Sequence, residues 1–149
     1  MCWYRYVVHT FIICPYRRNT FADFLDHIKG IHPDIQFTME VDKNAALPFL
    51  DVLVERKPDS TLGHRVHRKP TCTDRYMNAE SHHHPAQKQG IINTLIHRAR
   101  IISEPRHLAK ELEHLRTALR GNGYTARNIE QAIRRRHTPI EKREYLLAE

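Results

Sequence analysis

The hydrophobic pattern of the first 42 residues predicts two strands around one helix. Residues 3–13 (WYRYVVHTFII) are almost all aromatic or β-branched, which favours a single buried strand. Thr20 is placed to cap a helix that Pro33 ends. Residues 35–42 alternate between apolar and polar side chains and predict a half-exposed strand. The apolar positions of the helix follow i, i+3 and i+4 spacing: Phe21, Phe24, Leu25, Ile28 and Ile31.

A second pair of strands follows. Residues 47–56 (LPFLDVLVER) are mostly apolar and predict a more deeply buried strand, and residues 57–63 contain the turn signals Pro, Asp, Ser and Gly. Residues 64–69 (HRVHRK) then predict an antiparallel return strand. The region 1–69 therefore predicts the order β-α-β-β-β, a small antiparallel sheet with one packed helix.

The pattern becomes helical after a connecting loop at 70–84, which is polar and aperiodic. Helices are predicted over about 85–102 and 105–120, the second ending at the Gly-Asn-Gly sequence 121–123, and a third begins at Thr125. The residues expected to point inward are Ile91, Ile92, Leu95, Ile96, Ala99, Ile102, Leu108, Leu112, Leu115, Leu119, Ile129, Ala132 and Ile133.

The predicted fold class is therefore α+β. A β/α region at 1–69 and the loop at 70–84 precede a three-helix bundle at 85–136, and residues 137–149 form a tail. The second and third helices of the bundle, joined by a short glycine-containing turn, also resemble a helix-turn-helix.

Positive charge is concentrated in the second half of the chain. The 149 residues carry a net charge of +7, but residues 1–74 hold 10 Lys and Arg against 9 Asp and Glu, whereas residues 75–149 hold 14 against 8. This asymmetry favours a polyanionic partner such as nucleic acid.

Cysteine usage and hydropathy narrow the compartment. The three cysteines (Cys2, Cys14 and Cys72) lack the spacing of a disulfide framework or a zinc site, so we expect a reducing compartment, nuclear or cytoplasmic. The apolar stretch 7–14 is too short to span a bilayer and lacks the flanks of a secretory signal. No membrane partner is expected.

Three motifs in order resemble the end of the palm and the thumb of Penelope-like retroelement reverse transcriptases. They are LPFLD at 47–51, RKPTCTD at 68–74 and SHHHP at 81–85. The resemblance covers about residues 4–136. It implies a palm-like 1–69 region, a thumb-like helical region and contact with the template–primer backbone.

The resemblance also implies that this chain is polymerase-inactive alone. In the family an aromatic-x-Asp-Asp turn helps to hold two Mg²⁺ ions, but here Val8 and His9 follow Tyr6 and Val7 at the positions of the two aspartates. Valine cannot ligate a metal and histidine is a poor Mg²⁺ ligand. The rest of the palm, the fingers and the family's GIY-YIG nuclease would lie outside this sequence. We therefore expect a truncated piece with no cofactor of its own.

Several residues have both a structural and a functional interpretation. The His82–His84 run more readily caps the helix starting at Pro85 than binds a metal, and Asp51 more readily finds a hydrogen-bond partner than takes part in catalysis. Arg127, Asn128 and Gln131 are of the types that read base edges. The expected phosphate contacts are Arg68, Lys69, Arg75, Arg98, Arg134, Arg135 and Arg136.

The sequence therefore predicts a reverse transcriptase-derived protein that binds RNA–DNA hybrid or DNA through backbone phosphates. The alternatives are a co-opted helix-turn-helix DNA-binding protein and a relic without function. The apolar first strand is also expected to promote self-association, because an unpaired strand edge can template another chain.

Overall fold

A computed structural model describes residues 2–14 and 20–135, and the fold class is α+β as predicted. A two-stranded hairpin and a three-stranded antiparallel sheet precede a group of three helices. The elements in chain order are β1 (Cys2–Tyr6), β2 (His9–Ile13), α1 (Phe21–Lys29), β3 (Ala46–Phe49), β4 (Val52–Arg56), β5 (Leu62–Val66), α2 (Pro85–Ile102), α3 (Pro105–Gly121) and α4 (Ala126–Arg134).

The prediction of one buried strand over 3–13 is wrong, because the chain reverses in the middle of it. β1 and β2 pair antiparallel, and Tyr6 opposite His9 is the last pair before the turn. All five residues of β1 are exposed. Val7 at the turn has a φ of 52°, which β-branched residues rarely adopt. Two valines are not a turn signal, so composition predicted the strands but not the reversal.

The prediction of one strand over 47–56 is wrong for the same reason. Phe49 of β3 lies opposite Val52 of β4, and Leu50, with a φ of 55°, turns the chain between them. β5 covers Leu62–Val66 rather than 64–69 and pairs with β4, so the sheet order is β3-β4-β5. Pro48 is tolerated because β3 is an edge strand.

Residues 35–42 keep their alternating pattern but form no strand, contrary to the prediction. Ile35, Phe37 and Met39 remain 40–49% exposed. Alternation defines two faces, but a strand also needs a neighbouring backbone for its hydrogen bonds, and no described segment pairs with this one. The preceding α1 ends at Gly30 rather than at Pro33. The element order before the helices is therefore β-β-α-β-β-β.

The three predicted helices are confirmed, and we call α2, α3 and α4 together the helical unit. α2 has its predicted bounds. Ile91 and Leu95, predicted inward, are only partly buried, because the neighbouring stripe of α2 faces the other helices. None of the described helices is long and apolar enough to cross a membrane. The buried hydrophobic residues of the described chain are Ile92, Ile96, Ala99, Leu115, Leu119, Tyr124, Ile129 and Ala132.

Polar contacts attach the sheet to the helical unit at the turn between α2 and α3. The backbone N–H of Glu104 donates to the carbonyl of His64 in β5 at 3.1 Å, and Lys57 Nζ donates to Glu104 Oε1 at 2.7 Å. Gly63 is required by the close approach, since a Cβ there would lie 2.8 Å from Lys57 Cε and 2.8 Å from Arg106 Nη2. The helical unit therefore rests on the edge strand β5.

Candidate nucleic-acid interface

Neighbouring side chains hold both ends of α4. At its start, Thr125 Oγ1 accepts a hydrogen bond from the backbone N–H of Asn128 at 3.3 Å. At its end, the guanidinium of Arg100, in α2, donates to the carbonyls of Ile133 and Arg135. A helix of nine residues is marginal in isolation. These caps and the burial of Ile129 therefore fix the position of α4.

The turn between α3 and α4 depends on a glycine. Gly123 has a φ of 85°, in the left-handed region where a side chain is strained. A Cβ there would also lie 3.4 Å from Asn78 Oδ1, in the loop packed over the turn. The short turn that the sequence indicated thus has a steric as well as a conformational requirement for glycine.

Asn122 ties the 70–84 loop to the same turn. Its Oδ1 accepts from the backbone N–H of Tyr76 at 2.9 Å, and its Nδ2 donates to the carbonyl of Asp74 at 2.8 Å. Beside it, the hydroxyl of Tyr124 donates to the carbonyl of Met77 at 2.8 Å, and burial raises the pKa of Tyr124. The loop is therefore an ordered part of the helical region.

A polar face lies on α4 opposite the buried Ile129 and Ala132. We call it the α4 face, and it consists of the exposed residues Arg127, Asn128, Gln131, Arg134 and Arg135. Four of these residues line a shallow groove together with Glu130. The guanidinium groups of Arg127, Arg134 and Arg135 form no salt bridge with any described residue. Three cationic side chains thus remain available to an external anion.

Glu130, the acidic residue beside the α4 face, is held by Arg116 of α3. Arg116 Nε donates to Glu130 Oε1 at 2.6 Å and Nη2 donates to Oε2 at 3.4 Å. The same guanidinium donates to Glu113 at 3.1 Å. The hydrogen bond from Arg116 lowers the pKa of Glu130, and that from Glu130 raises the pKa of Arg116. The Glu130 carboxylate is therefore turned towards α3 and neutralised there.

Arg68, one of the predicted phosphate contacts, is already occupied within the protein. Its two terminal nitrogens donate to the two carboxylate oxygens of Glu111 in α3, and its Nε lies 3.5 Å from Asp74 Oδ1. The hydrogen bond to Glu111 raises the pKa of Arg68 above its usual range. Contact of Arg68 with phosphate stays a prediction, but this geometry indicates that it holds the loop against α3.

The other predicted phosphate contacts lie in separate places. Arg98 donates to Asp51 at the turn between β3 and β4, at 2.5 Å, which gives Asp51 the partner expected of it. Lys69 and Arg75 are exposed on the loop side. Arg134 and Arg135 share the α4 face, whereas Arg136 lies outside the described residues. The structure thus brings together two of the seven residues.

Arg120 is a cation that the sequence analysis did not single out. It is exposed at the end of α3, one helical turn after Arg116, and acts together with Arg134 to lower the pKa of Glu130. Its i+4 spacing from Arg116 was the signal that could have found it. Arg120 extends the positive charge from α4 onto α3.

The histidine run has the capping role expected of it. His84 Nδ1 accepts from the backbone N–H of Ala86 at 3.2 Å, and Pro85 is the first residue of α2. His83 Nδ1 lies 3.2 Å from Ser81 Oγ. Within 2–14 and 20–135, no group of three or more His, Cys, Asp or Glu side chains is placed to hold a metal ion.

The positions that resemble a degenerate metal site lie at the tip of the hairpin. Val8 is 83% exposed, and His9 begins β2 opposite Tyr6. Neither residue is near the helical unit in the element contacts of the structure. These side chains offer no carboxylate for a divalent ion.

The geometry of the helical unit agrees with its similarity to a known family. Residues 75–134 match the family model of the animal helix-turn-helix domain. In this helix-turn-helix region, α3 and α4 form the helical pair and residues 122–125 form the turn. The match begins within the loop that Asn122 holds, so the region includes this ordered segment as well as the three helices.

The match indicates nucleic-acid binding as the general function of this region. No curated protein and no solved structure matches the chain. The comparisons give no reverse transcriptase relative, so the resemblance to the Penelope-like enzymes stays a prediction.

Proposed function

We propose that the helix-turn-helix region binds double-stranded DNA, with the α4 face entering the major groove. The observation that carries the proposal is the set of three arginines on this face whose guanidinium groups are left free of salt bridges. In this class of motif the second helix lies in the major groove and its first residues reach the base edges. Here α4 is the second helix and Arg127, Asn128 and Gln131 occupy its first two turns.

Phosphate contacts supply most of the affinity in this proposal. Arg134 and Arg135 lie at the end of α4, and Arg120 adds a charge from α3. Arginines so placed neutralise backbone phosphates and release counterions, which gives sequence-independent binding. Asn128 and Gln131 can add preference for adenine, and Arg127 for guanine.

Groove shape favours DNA over the RNA–DNA hybrid as the ligand. The major groove of B-form DNA is about 12 Å wide and admits a helix, whereas the A-form groove is deep and narrow. Fluorescence anisotropy with a DNA duplex and a hybrid of the same sequence tests this choice. Tighter binding of the duplex is expected, and equal or tighter binding of the hybrid would instead favour the thumb of a reverse transcriptase.

Salt dependence tests which residues contact phosphate. Replacing Arg127, Arg134 and Arg135 by alanine should flatten the slope of log affinity against log salt by roughly 2.7 units if all three contact duplex phosphates, at about 0.9 for each. Lys43→Ala removes an exposed cation next to β3 and should leave the slope unchanged. A triple variant with the wild-type slope would exclude the α4 face as the binding surface.

We propose further that the chain derives from the palm and thumb of a Penelope-like reverse transcriptase. The order of its three sequence motifs supports this origin, and so does the turn formed where the family's aspartates would stand. A single pair of positions without carboxylates cannot assemble a two-metal site. Primer extension with Mg²⁺ should therefore yield no product, also after Val8→Asp with His9→Asp. Extension above a buffer control would refute this account of the chain.

A further inference from the structure

Glu130 is the feature of the α4 face that the proposed function leaves unexplained. It lies on α4 three residues after Arg127 and four before Arg134, so its carboxylate is within reach of both cations. A carboxylate at this position repels phosphate and competes with it for arginine. A binding face with such a residue needs a means of keeping the carboxylate away.

Arg116 supplies that means from the neighbouring helix. Its two contacts with Glu130, at 2.6 and 3.4 Å, hold both carboxylate oxygens on the α3 side of α4. Glu113 contacts the opposite edge of the same guanidinium at 3.1 Å and fixes its plane. The Arg116 side chain is 25% exposed, whereas that of Glu113 is 66% exposed, so the arginine is the more embedded partner.

The alternative partner of Glu130 is Arg134. A glutamate four residues before a cation is the favourable orientation for a pair on a helix. Arg134 already acts electrostatically on Glu130 in the structure, although the two form no salt bridge. Without Arg116 the Glu130 carboxylate would turn to Arg134 and remove that arginine from phosphate contact.

We propose that Arg116 is a positioning residue for DNA binding, which keeps Glu130 from capturing Arg134 on the α4 face. This inference rests on the proposed function, since it concerns the same surface. Arg116 itself makes no phosphate contact in this scheme. Its effect on affinity should therefore depend entirely on the presence of the Glu130 carboxylate.

A double-mutant cycle at these two residues tests the dependence. The affinity for one DNA duplex is measured by anisotropy at 50 and 200 mM salt for wild type, Arg116→Ala, Glu130→Gln and the double variant. Arg116→Ala should bind more weakly and show a salt slope smaller by about 0.9, so its deficit shrinks about threefold between the two salt concentrations. The double variant should regain the wild-type slope, because glutamine cannot hold Arg134 as an ion pair.

The control is Arg56→Ala, which removes the same charge and frees Asp42 from a 2.5 Å contact on the sheet. It should leave DNA affinity and slope unchanged. Thermal unfolding followed by circular dichroism establishes the folded fraction of each variant. A purely structural role for Arg116 predicts that the double variant is at least as defective as Arg116→Ala.

The outcomes separate the two proposals. If wild type binds and the double variant is no better than Arg116→Ala, the positioning role is wrong while DNA binding stands. If the wild-type protein binds no duplex, the proposed function fails and the positioning role fails with it. Recovery of slope and affinity in the double variant supports both.

Discussion

Replacing Asn122 by alanine should destabilise the helical region by about 1–3 kcal/mol. The change leaves two backbone groups of the loop without their partner, the N–H of Tyr76 and the carbonyl of Asp74, which lie 2.9 and 2.8 Å from the amide. Each such hydrogen bond contributes about 0.5–1.5 kcal/mol net. The bond from Asn122 to the carbonyl of Ala118 adds little, because that carbonyl also accepts the backbone N–H of Asn122.

Urea denaturation followed by circular dichroism measures the loss, and hydrogen exchange at the Tyr76 amide locates it. Asn122→Asp is also expected to destabilise, because it keeps the acceptor for Tyr76 but places an oxygen against the Asp74 carbonyl. The matched control is Asn128→Ala, an identical change at an exposed position of α4, which should stay within about 0.5 kcal/mol of wild type. A wild-type urea midpoint for Asn122→Ala, together with unchanged exchange at Tyr76, would refute the assigned role of Asn122.

Three other expectations concern the core, acid stability and association. Ile129→Asp should unfold the helical unit, because Ile129 is 1% exposed and an unpaired buried carboxylate costs several kcal/mol; Gln131→Ala should melt like wild type, and equal melting of the two would contradict the assigned inner face. The hydrogen bond from Lys57 lowers the pKa of Glu104 below its ordinary 4.5, so this contact stabilises the fold above pH 4.5 and is lost as the pH falls through the lowered pKa; urea midpoints measured against pH should depend less on acid in Glu104→Gln. The exposed β1 strand should promote self-association, and sedimentation should show less of it for Tyr4→Lys, whereas identical sedimentation at high concentration would count against an interface at β1.

The sequence predicted the helical half well because its signals are local. Pro85 and the cap at His84 set the start of α2, the Gly-Asn-Gly sequence at 121–123 ended α3, and Thr125 began α4. Each of these features acts through hydrogen bonds or dihedral preferences within a few residues. The apolar stripes then required the three helices to pack together, since no single amphipathic helix can bury its own face.

The sheet was predicted less well because strand pairing is not local. The reversals at Val7 and Leu50 use a positive φ in residues that rarely adopt it, so no turn signal marked them. The alternation of 35–42 was real, yet it produced no strand. Whether an alternating segment becomes a strand is decided by the backbone that lies beside it, which one sequence does not reveal.

The sequence by itself determined the charge asymmetry, the α+β class and the residue types available for nucleic acid. Only the tertiary structure decided which arginines are available, because this depends on carboxylates distant in the chain. Glu111 is 43 residues from Arg68 and occupies it, and Asp51 is 47 residues from Arg98. Charge can be counted along a sequence, but a guanidinium is free or paired according to the side chains that folding brings within hydrogen-bond distance.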